Sequence, residues 1–291
     1  MEPERLITTT GMDWQALNEL ADAVPSLYRR YPKRKSNGRL RWLSAPQADL
    51  KRIQRQILDT LLYDLSPHDA AHGFVPKRSV ISHARNHVGQ RWLVGLDIKD
   101  FFDETDEGAV RSVLVQIEGL SQREIQLISK LCCLNGVLPQ GAPTSPCLAN
   151  LYFKSADVLL SEYARAHQLN YSRYADDLAF SGPTVPTDLV DTVSEICGTL
   201  GYRLAGRKTR VLGSGTRQLV TGLVVNQGIS VPRPLRRRLR AIIHDGKQNG
   251  LPSALERADL REDGILGLIG WVSLTNECHG KDLYDAIKAL L

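Results

Sequence analysis

The run Asn170-Tyr171-Ser172-Arg173-Tyr174-Ala175-Asp176-Asp177-Leu178-Ala179-Phe180-Ser181-Gly182 constrains this chain more than any other part of it. Strand formers flank an acidic pair on both sides, which predicts a β-hairpin with Asp176 and Asp177 at its tip. Adjacent carboxylates repel one another, so a fold that keeps them at a tip needs a cation nearby. Standing alone, an Asp-Asp pair is most often a solvated turn, and context has to decide. Here the context is Arg91-Trp92-Leu93-Val94-Gly95-Leu96-Asp97, a short apolar run closing on a third carboxylate, which predicts a buried strand that delivers Asp97 at its end. Three such aspartates suit magnesium, which takes a few carboxylate oxygens and leaves its other positions to water and phosphate; two such ions can activate a hydroxyl nucleophile and steady a leaving pyrophosphate.

The rest of the chain alternates helical and extended patterns without an internal repeat. Trp14, Leu17, Leu20 and Val24 fall at helical spacing and predict an amphipathic helix ending near Pro25. Residues 28–41 then carry seven basic side chains around an Asn37-Gly38 turn, a basic hairpin. Leu50, Ile53, Ile57, Leu58 and Leu61 share one face of a helix over 48–62. Two helices are expected over 108–134, broken near Gly119, and the loop Leu138 to Pro146 should lead into one long helix over about 146–167. A helix over 187–200, a short strand pair within 202–225, a basic helix over 233–248 and helical stretches over 265–273 and 281–290 complete the reading.

The formal charge of +5 and pI near 9.0 matter only where the charge is clustered. It is clustered in the basic hairpin and again in Pro232-Arg233-Pro234-Leu235-Arg236-Arg237-Arg238-Leu239-Arg240, where five arginines fall within eight residues and Leu235, Leu239, Ile242 and Ile243 form the opposite stripe. One face packs and the other is offered to phosphate. The five cysteines are odd in number and lack paired Cys-x-x-Cys spacing, which fits a reducing cytoplasm. No basic-then-apolar start suggests a secretory signal, and no apolar stretch reaches the roughly 18 residues of a membrane span.

In the order of these motifs the chain resembles the reverse transcriptases, and more narrowly the bacterial retron enzymes, from about residue 30 onward. Leu96-Asp97-Ile98-Lys99-Asp100-Phe101-Phe102 resembles the first catalytic motif of that family, Pro139-Gln140-Gly141-Ala142-Pro143-Thr144-Ser145-Pro146 its second, and Tyr174-Ala175-Asp176-Asp177 matches its signature without departure. The resemblance implies two Mg²⁺ ions held by Asp97, Asp176, Asp177 and the backbone carbonyl of Ile98. It implies a steric gate at Phe102 against a ribose 2′-hydroxyl, and nucleotide contacts from Gln140, Gly141, Lys208 and either Arg39 or Arg41; a lysine at 208 could also serve as a general acid. Val220-Thr221-Gly222 is intact as the retron segment tied to recognition of a structured RNA. His83-Ala84-Arg85-Asn86-His87 resembles the earlier Asn-Ala-x-x-His segment with histidine in place of the asparagine, so that His83 and His87 are expected at the RNA. On spacing alone these two histidines could be a helical metal pair, but no third zinc ligand lies near in sequence.

The resemblance implies an α+β, right-hand polymerase architecture: fingers over 1–90, a palm with an antiparallel sheet over 91–215, and a helical thumb over 216–291 in which Arg236, Arg237 and Arg240 grip a template-primer duplex. The implied activity is RNA-directed DNA synthesis from dNTPs on a partner noncoding RNA, primed from a guanosine 2′-hydroxyl of that RNA, with a part in phage defence beside a separate effector protein. The family's RNA elements are read largely by shape, since phosphate contacts supply affinity and register. Another bacterial reverse transcriptase, of the group II intron or diversity-generating kind, and a noncatalytic RNA-binding protein on a polymerase fold are the competing readings. Little sequence follows the thumb helix, so neither a maturase extension nor a ribonuclease H domain is expected, and RNA removal would fall to another enzyme.

Overall fold

A computed structural model describes residues 4–34, 38 and 40–290. The chain opens with two helices, α1 (Arg5–Thr10) and α2 (Trp14–Ala23), the second capped by the Asp13 side chain accepting from the Ala16 N–H. Strands β1 (Tyr28–Arg34) and β2 (Leu40–Pro46) pair antiparallel into a ribbon that is exposed over most of its length. The expected hairpin is therefore present, while its Asn37 turn residue and Arg39 lie outside the described residues. Helix α3 (Ala48–Thr60) buries Leu50, Ile53 and Ile57, the stripe read from the sequence. A short helix α4 (Val80–Arg85) follows, closed by a reciprocal Ser79–Ser82 capping box.

The sheet at the centre is built from β3 (Trp92–Asp97), β4 (Asn170–Tyr174), β5 (Asp177–Gly182) and β6 (Arg210–Gly213), in the order β4-β5-β3-β6, every pair antiparallel. Helices α5 (Glu107–Leu114), α6 (Gln122–Cys132), α7 (Ser145–Tyr152), α8 (Lys154–Ala166) and α9 (Leu189–Gly198) join it in one core with α1, α2 and α3. The single helix expected over 146–167 is two, α7 and α8, meeting at Phe153, whose ring is completely buried. No proline or glycine marks that break, which is set by where Phe153 packs. The strand pair expected within 202–225 is also divided: β6 joins the central sheet beside β3, and β7 (Leu219–Val220) with β8 (Leu223–Val224) makes a separate hairpin.

That hairpin turns on two residues, Thr221 and Gly222, both with positive φ, at +44° and +84°. Two central residues with φ > 0 match the twist of the flanking strands, and glycine meets the demand without strain where a β-branched threonine does not. Beyond it, α10 (Arg233–Asn249), α11 (Leu251–Arg257), α12 (Glu262–Ser273) and α13 (Glu277–Lys288) form a second hydrophobic cluster around Leu239, Ile265, Ile269 and Ile287. This cluster reaches the central sheet through Leu93 and Ala179. Among the described residues no helix is long and apolar enough to cross a membrane.

Candidate active site and its nucleic-acid surfaces

Strand register puts the three aspartates together. Asp97 ends β3 directly opposite Asp177, the first residue of β5, and Asp176 sits in the two-residue connection between β4 and β5. The Ile98 N–H donates to the Asp176 carbonyl at 2.9 Å, tying the end of β3 to the turn. Alternation along the strands sends Asp97 and Asp177 to one face of the sheet, the face shared by Gly95 and Ala179. Gly95 has no side chain to cover the space in front of them, and nothing lies within 4 Å of where its Cβ would be.

These carboxylates are held at an electrostatic cost. Burial, and then the neighbouring Asp176 and Asp97, push the Asp177 carboxyl up from 3.8 to about 6. Burial followed by Asp97 raises Asp176 as well, with Lys208 and Arg41 acting the other way. Lys208 donates from Nζ to Asp97 Oδ1 at 2.5 Å. Among the described residues no three His, Cys, Asp or Glu side chains converge closely enough to hold a metal ion by themselves. Magnesium needs fewer protein ligands, since one or two carboxylates combine with substrate phosphates and water. Hard oxygen donors, close like charges and an open face fit divalent cations; thiols and imidazoles, the ligands of zinc, are absent from this donor set.

In front of Asp97 and Asp176 opens a cleft of about 540 Å³ lined by Arg30, Arg41 and Trp42 of the β1–β2 ribbon, by Phe102 and Asp103, and by Gln140 and Lys208. The structure thus brings Arg41, Ile98, Phe102, Gln140 and Lys208 to one place. Phe102 is half-buried, its ring 5.6 Å from Phe101, which is itself buried. Gly141, expected at the nucleotide, also meets a demand of the backbone. Its φ is +137°, and a Cβ there would come within 2.6 Å of the Ser44 carbonyl, while the Ser44 N–H donates to the Gln140 carbonyl. Glycine at 141 lets the loop lie against β2, which sets the distance between ribbon and sheet. Arg30, Trp42 and Asp103 were missed from sequence; Asp103 accepts from Gln140 Nε2 at 3.0 Å, and its place one residue after Phe102 was the available signal.

His83 and His87 do not lie at a nucleic-acid surface. They are 1% and 0% exposed and pack onto the β4–β5 hairpin on the face that carries Ala179 and Asp177. His87 bridges Ser181 Oγ at 2.7 Å and Ser172 Oγ at 2.8 Å, and His83 Nδ1 meets Ser172 Oγ at 2.9 Å. Burial lowers their pKa values to about 2 for His83 and about 3 for His87, so both are neutral. The expectation of direct RNA contact by these two side chains is corrected on the ground of their burial: the segment braces the catalytic hairpin on the face that carries Asp177.

The Val220-Thr221-Gly222 turn fares differently. With Asp177, Gly95, Ala179, Arg210 and the edge of buried His83 it lines a second cleft of about 290 Å³ on the open face of the sheet. Val220 is buried, Gly222 is exposed, and the Thr221 hydroxyl is shielded without a hydrogen-bond partner. On α10, Arg237 and Arg240 are exposed and Arg236 is half-buried, whereas Arg238 is tied to the Ala258 carbonyl at 2.7 Å.

Residues 31–221 match the family model described as reverse transcriptase (RNA-dependent DNA polymerase). The chain belongs to the reverse transcriptase family. Within that family it groups with the retron enzymes: it is 33% identical over 311 residues to the Retron Mx162 reverse transcriptase of Myxococcus xanthus, covering 94% of this chain and 63% of that one. To the Retron Ec86 reverse transcriptase of Escherichia coli it is 32% identical over 240 residues, covering 81% and 75%. The chain therefore spans less than two thirds of the length of the Myxococcus relative. Among solved structures, a foamy viral protease-reverse transcriptase is similar at a TM-score of 0.47 and 20% identity, over 90% of this chain and 39% of that one. Reverse transcriptases of this family use divalent metals, in line with the donor set described above.

Proposed function

We propose that this protein is an RNA-directed DNA polymerase that copies part of a structured noncoding RNA into single-stranded DNA, priming from a guanosine 2′-hydroxyl in that RNA, and that it acts in antiphage defence beside a separate effector. The observation that carries the polymerase reading is the register pairing of Asp97 with Asp177, with Asp176 at the adjoining turn. Asp97, Asp176, Asp177 and the Ile98 carbonyl would hold two Mg²⁺ ions. Bound there, the metal would make the primer hydroxyl a better nucleophile and offset charge on the departing pyrophosphate.

The chain's own residues do the rest. Arg41 and Lys208 attract the triphosphate into the cleft, and Lys208, drawn from Asp97 toward the leaving group, can give it a proton. Phe102, braced by Phe101, closes the space a ribose 2′-hydroxyl would need. Gln140, oriented by Asp103, meets the incoming nucleotide. The open face between Asp177 and the β7–β8 turn of Thr221 and Gly222 suits the priming strand, and exposed Gly222 allows close backbone approach. Arg236, Arg237 and Arg240 hold the duplex by its phosphates, which gives affinity and register without sequence choice. The working division is fingers to about residue 90, palm to about 215 and thumb beyond.

The test is to purify the protein from its host, extract bound nucleic acid, and digest it with ribonuclease and with deoxyribonuclease. A discrete DNA that shortens slightly with the first and vanishes with the second supports branched RNA–DNA synthesis. RNA alone points instead to an intron-type enzyme or an RNA-binding protein, which Mg²⁺-dependent primer extension on a generic template separates.

A further inference from the structure

Among the described residues the side chain of Arg173 is the largest that is fully buried, and it lies on β4 three residues before Asp176. An arginine is rarely buried without a carboxylate, and this one has Asp157 of α8: Nε donates to Oδ1 at 3.0 Å and Nη2 to Oδ2 at 2.6 Å. Two parallel bonds would suffice to neutralise the charge. The remaining donor, Nη1, does something the ion pair does not require. It donates to the Ala175 carbonyl at 2.9 Å and to Asn150 Oδ1 at 2.8 Å, and Asn150 passes the connection on by donating to the Gly73 carbonyl at 2.8 Å.

Ala175 is the residue that needs holding. Its φ is +54°, in the left-handed region that costs an L residue with a Cβ, and such a conformation persists only where its surroundings over-determine it. Those surroundings are visible. Gly73 lies so close beneath the turn that a Cβ on it would meet the Ala175 nitrogen at 2.6 Å. The backbone of Arg173 is fixed on both sides, its N–H donating to Ala70 and its carbonyl accepting from His72, each at 2.7 Å. The guanidinium also lies over the rings of Phe153 at 4.6 Å and Phe101 at 5.7 Å, the latter the neighbour of the gate residue Phe102.

We infer that Arg173 is a positioning residue that sets the strained turn carrying Asp176 and Asp177, joining through one planar cation the turn itself, the α7–α8 helices and the Phe101-Phe102 segment. The inference rests on the polymerase reading given above. It requires the fork geometry of guanidinium, because an ammonium group can neutralise Asp157 but cannot also present a second edge to Ala175 and Asn150.

The test compares wild type, Arg173→Lys and Asn150→Ala. Arg173→Lys keeps the charge; Asn150→Ala leaves the Arg173–Asp157 pair whole and removes the other partner of Nη1. Three quantities are read: thermal midpoint, Mn²⁺ affinity by electron paramagnetic resonance titration, and primer extension with kcat separated from the KM for dNTP. The expected result for Arg173→Lys is Mn²⁺ binding weakened about tenfold and kcat lowered about 30-fold, with KM and RNA affinity near wild type, since small misplacement of reacting groups is expensive in rate. Asn150→Ala should move the same two quantities by a smaller factor, and it decides the matter if Arg173→Lys does not fold. Variants that melt earlier yet bind Mn²⁺ and turn over as wild type does would overturn the inference and leave a buried pair that serves stability alone. A wild-type protein that extends no primer would sink the polymerase reading instead, while the Mn²⁺ titration would still decide whether Arg173 sets the carboxylates.

Discussion

The two ends of the polar surface on the β4–β5 hairpin are built on opposite rules. At the tip, Asp97, Asp176 and Asp177 crowd like charges together, and burial with mutual repulsion raises the carboxyls of Asp176 and Asp177. Further along the hairpin the buried polar side chains are matched: His83 and His87 share Ser172 and Ser181, and Arg173 is bound to Asp157, Asn150 and Ala175. The tip is left electrostatically incomplete, and on the function proposed above cations and phosphates arriving with substrate would complete it. The supporting network is completed internally, so that the incomplete end cannot relax. Stability and activity are thus carried by adjacent residues and should come apart on mutation.

The largest expected effect breaks the tip. Asp176→Asn should lower DNA synthesis by at least about 10²–10³-fold, the scale of losing one aligned charge-stabilising group in a catalytic site. The same change removes a repelling charge, so the thermal midpoint should hold or rise, and RNA binding should survive. Calorimetry beside a primer-extension assay checks both; an inactive variant that is also markedly less stable would contradict the division of labour. Breaking the other end should do the reverse. His87→Ala leaves the buried Ser181 hydroxyl without its partner, takes one of two partners from Ser172 and opens a cavity, at a cost of about 3 kcal/mol in denaturant unfolding. The folded fraction, measured at low temperature, should turn over at a rate within a few-fold of wild type.

Acid sharpens the contrast, because the two ends respond with opposite sign. His83 and His87 titrate near 6.5 when unfolded and at about 2 and 3 when folded. Below pH 6.5 the unfolded chain binds protons that the native state refuses, so stability falls as pH falls, by up to about 1.4 kcal/mol per pH unit for each histidine. Asp177, raised to about 6, takes up a proton in the native state before the unfolded one does, so its repulsion is relieved over the window from about 6 to 3.8. His87→Gln should therefore flatten the decline in unfolding free energy between pH 6.5 and 4, and Asp177→Asn should steepen it. Equal slopes in all three proteins would show that neither group titrates as its surroundings dictate.

What the sequence revealed divides along the same line. The tip was legible because it is local: strand formers on either side of an acidic pair, and a second apolar run ending in aspartate, predict strands with carboxylates at their ends whatever packs around them. The support was not. His83 and His87 sit four apart and read as helix-surface residues or an RNA-contacting pair, and only the packing of α4 against β4 shows that they face serines 85 and 94 residues away in sequence. Arg173 looked like an ordinary strand residue, since nothing in its neighbourhood announces that Asp157, on a helix, will be its partner. The break between α7 and α8 has no local signal either. Gly141 was legible as a residue type, but its packing demand was not, because the approach that requires glycine comes from β2, nearly a hundred positions earlier in the chain.

The smallest expected effect carries the comparison to α10, where groups left open and groups tied down alternate along one helix. Arg237 is exposed, and Arg238 is spent on the Ala258 carbonyl at the end of α11. If the exposed arginines meet phosphate, Arg237→Ala should reduce the slope of log affinity against log salt by about 0.9 on a duplex, the release of one condensed counterion, and leave kcat at saturating template unchanged. Arg238→Ala should leave that slope alone and lower the melting temperature instead. Filter binding of template-primer across a salt series, run on both variants, distinguishes the two roles. An identical loss of slope in both would mean that the Arg238 bond to Ala258 yields to phosphate, and that the arginine face of the helix acts as one surface.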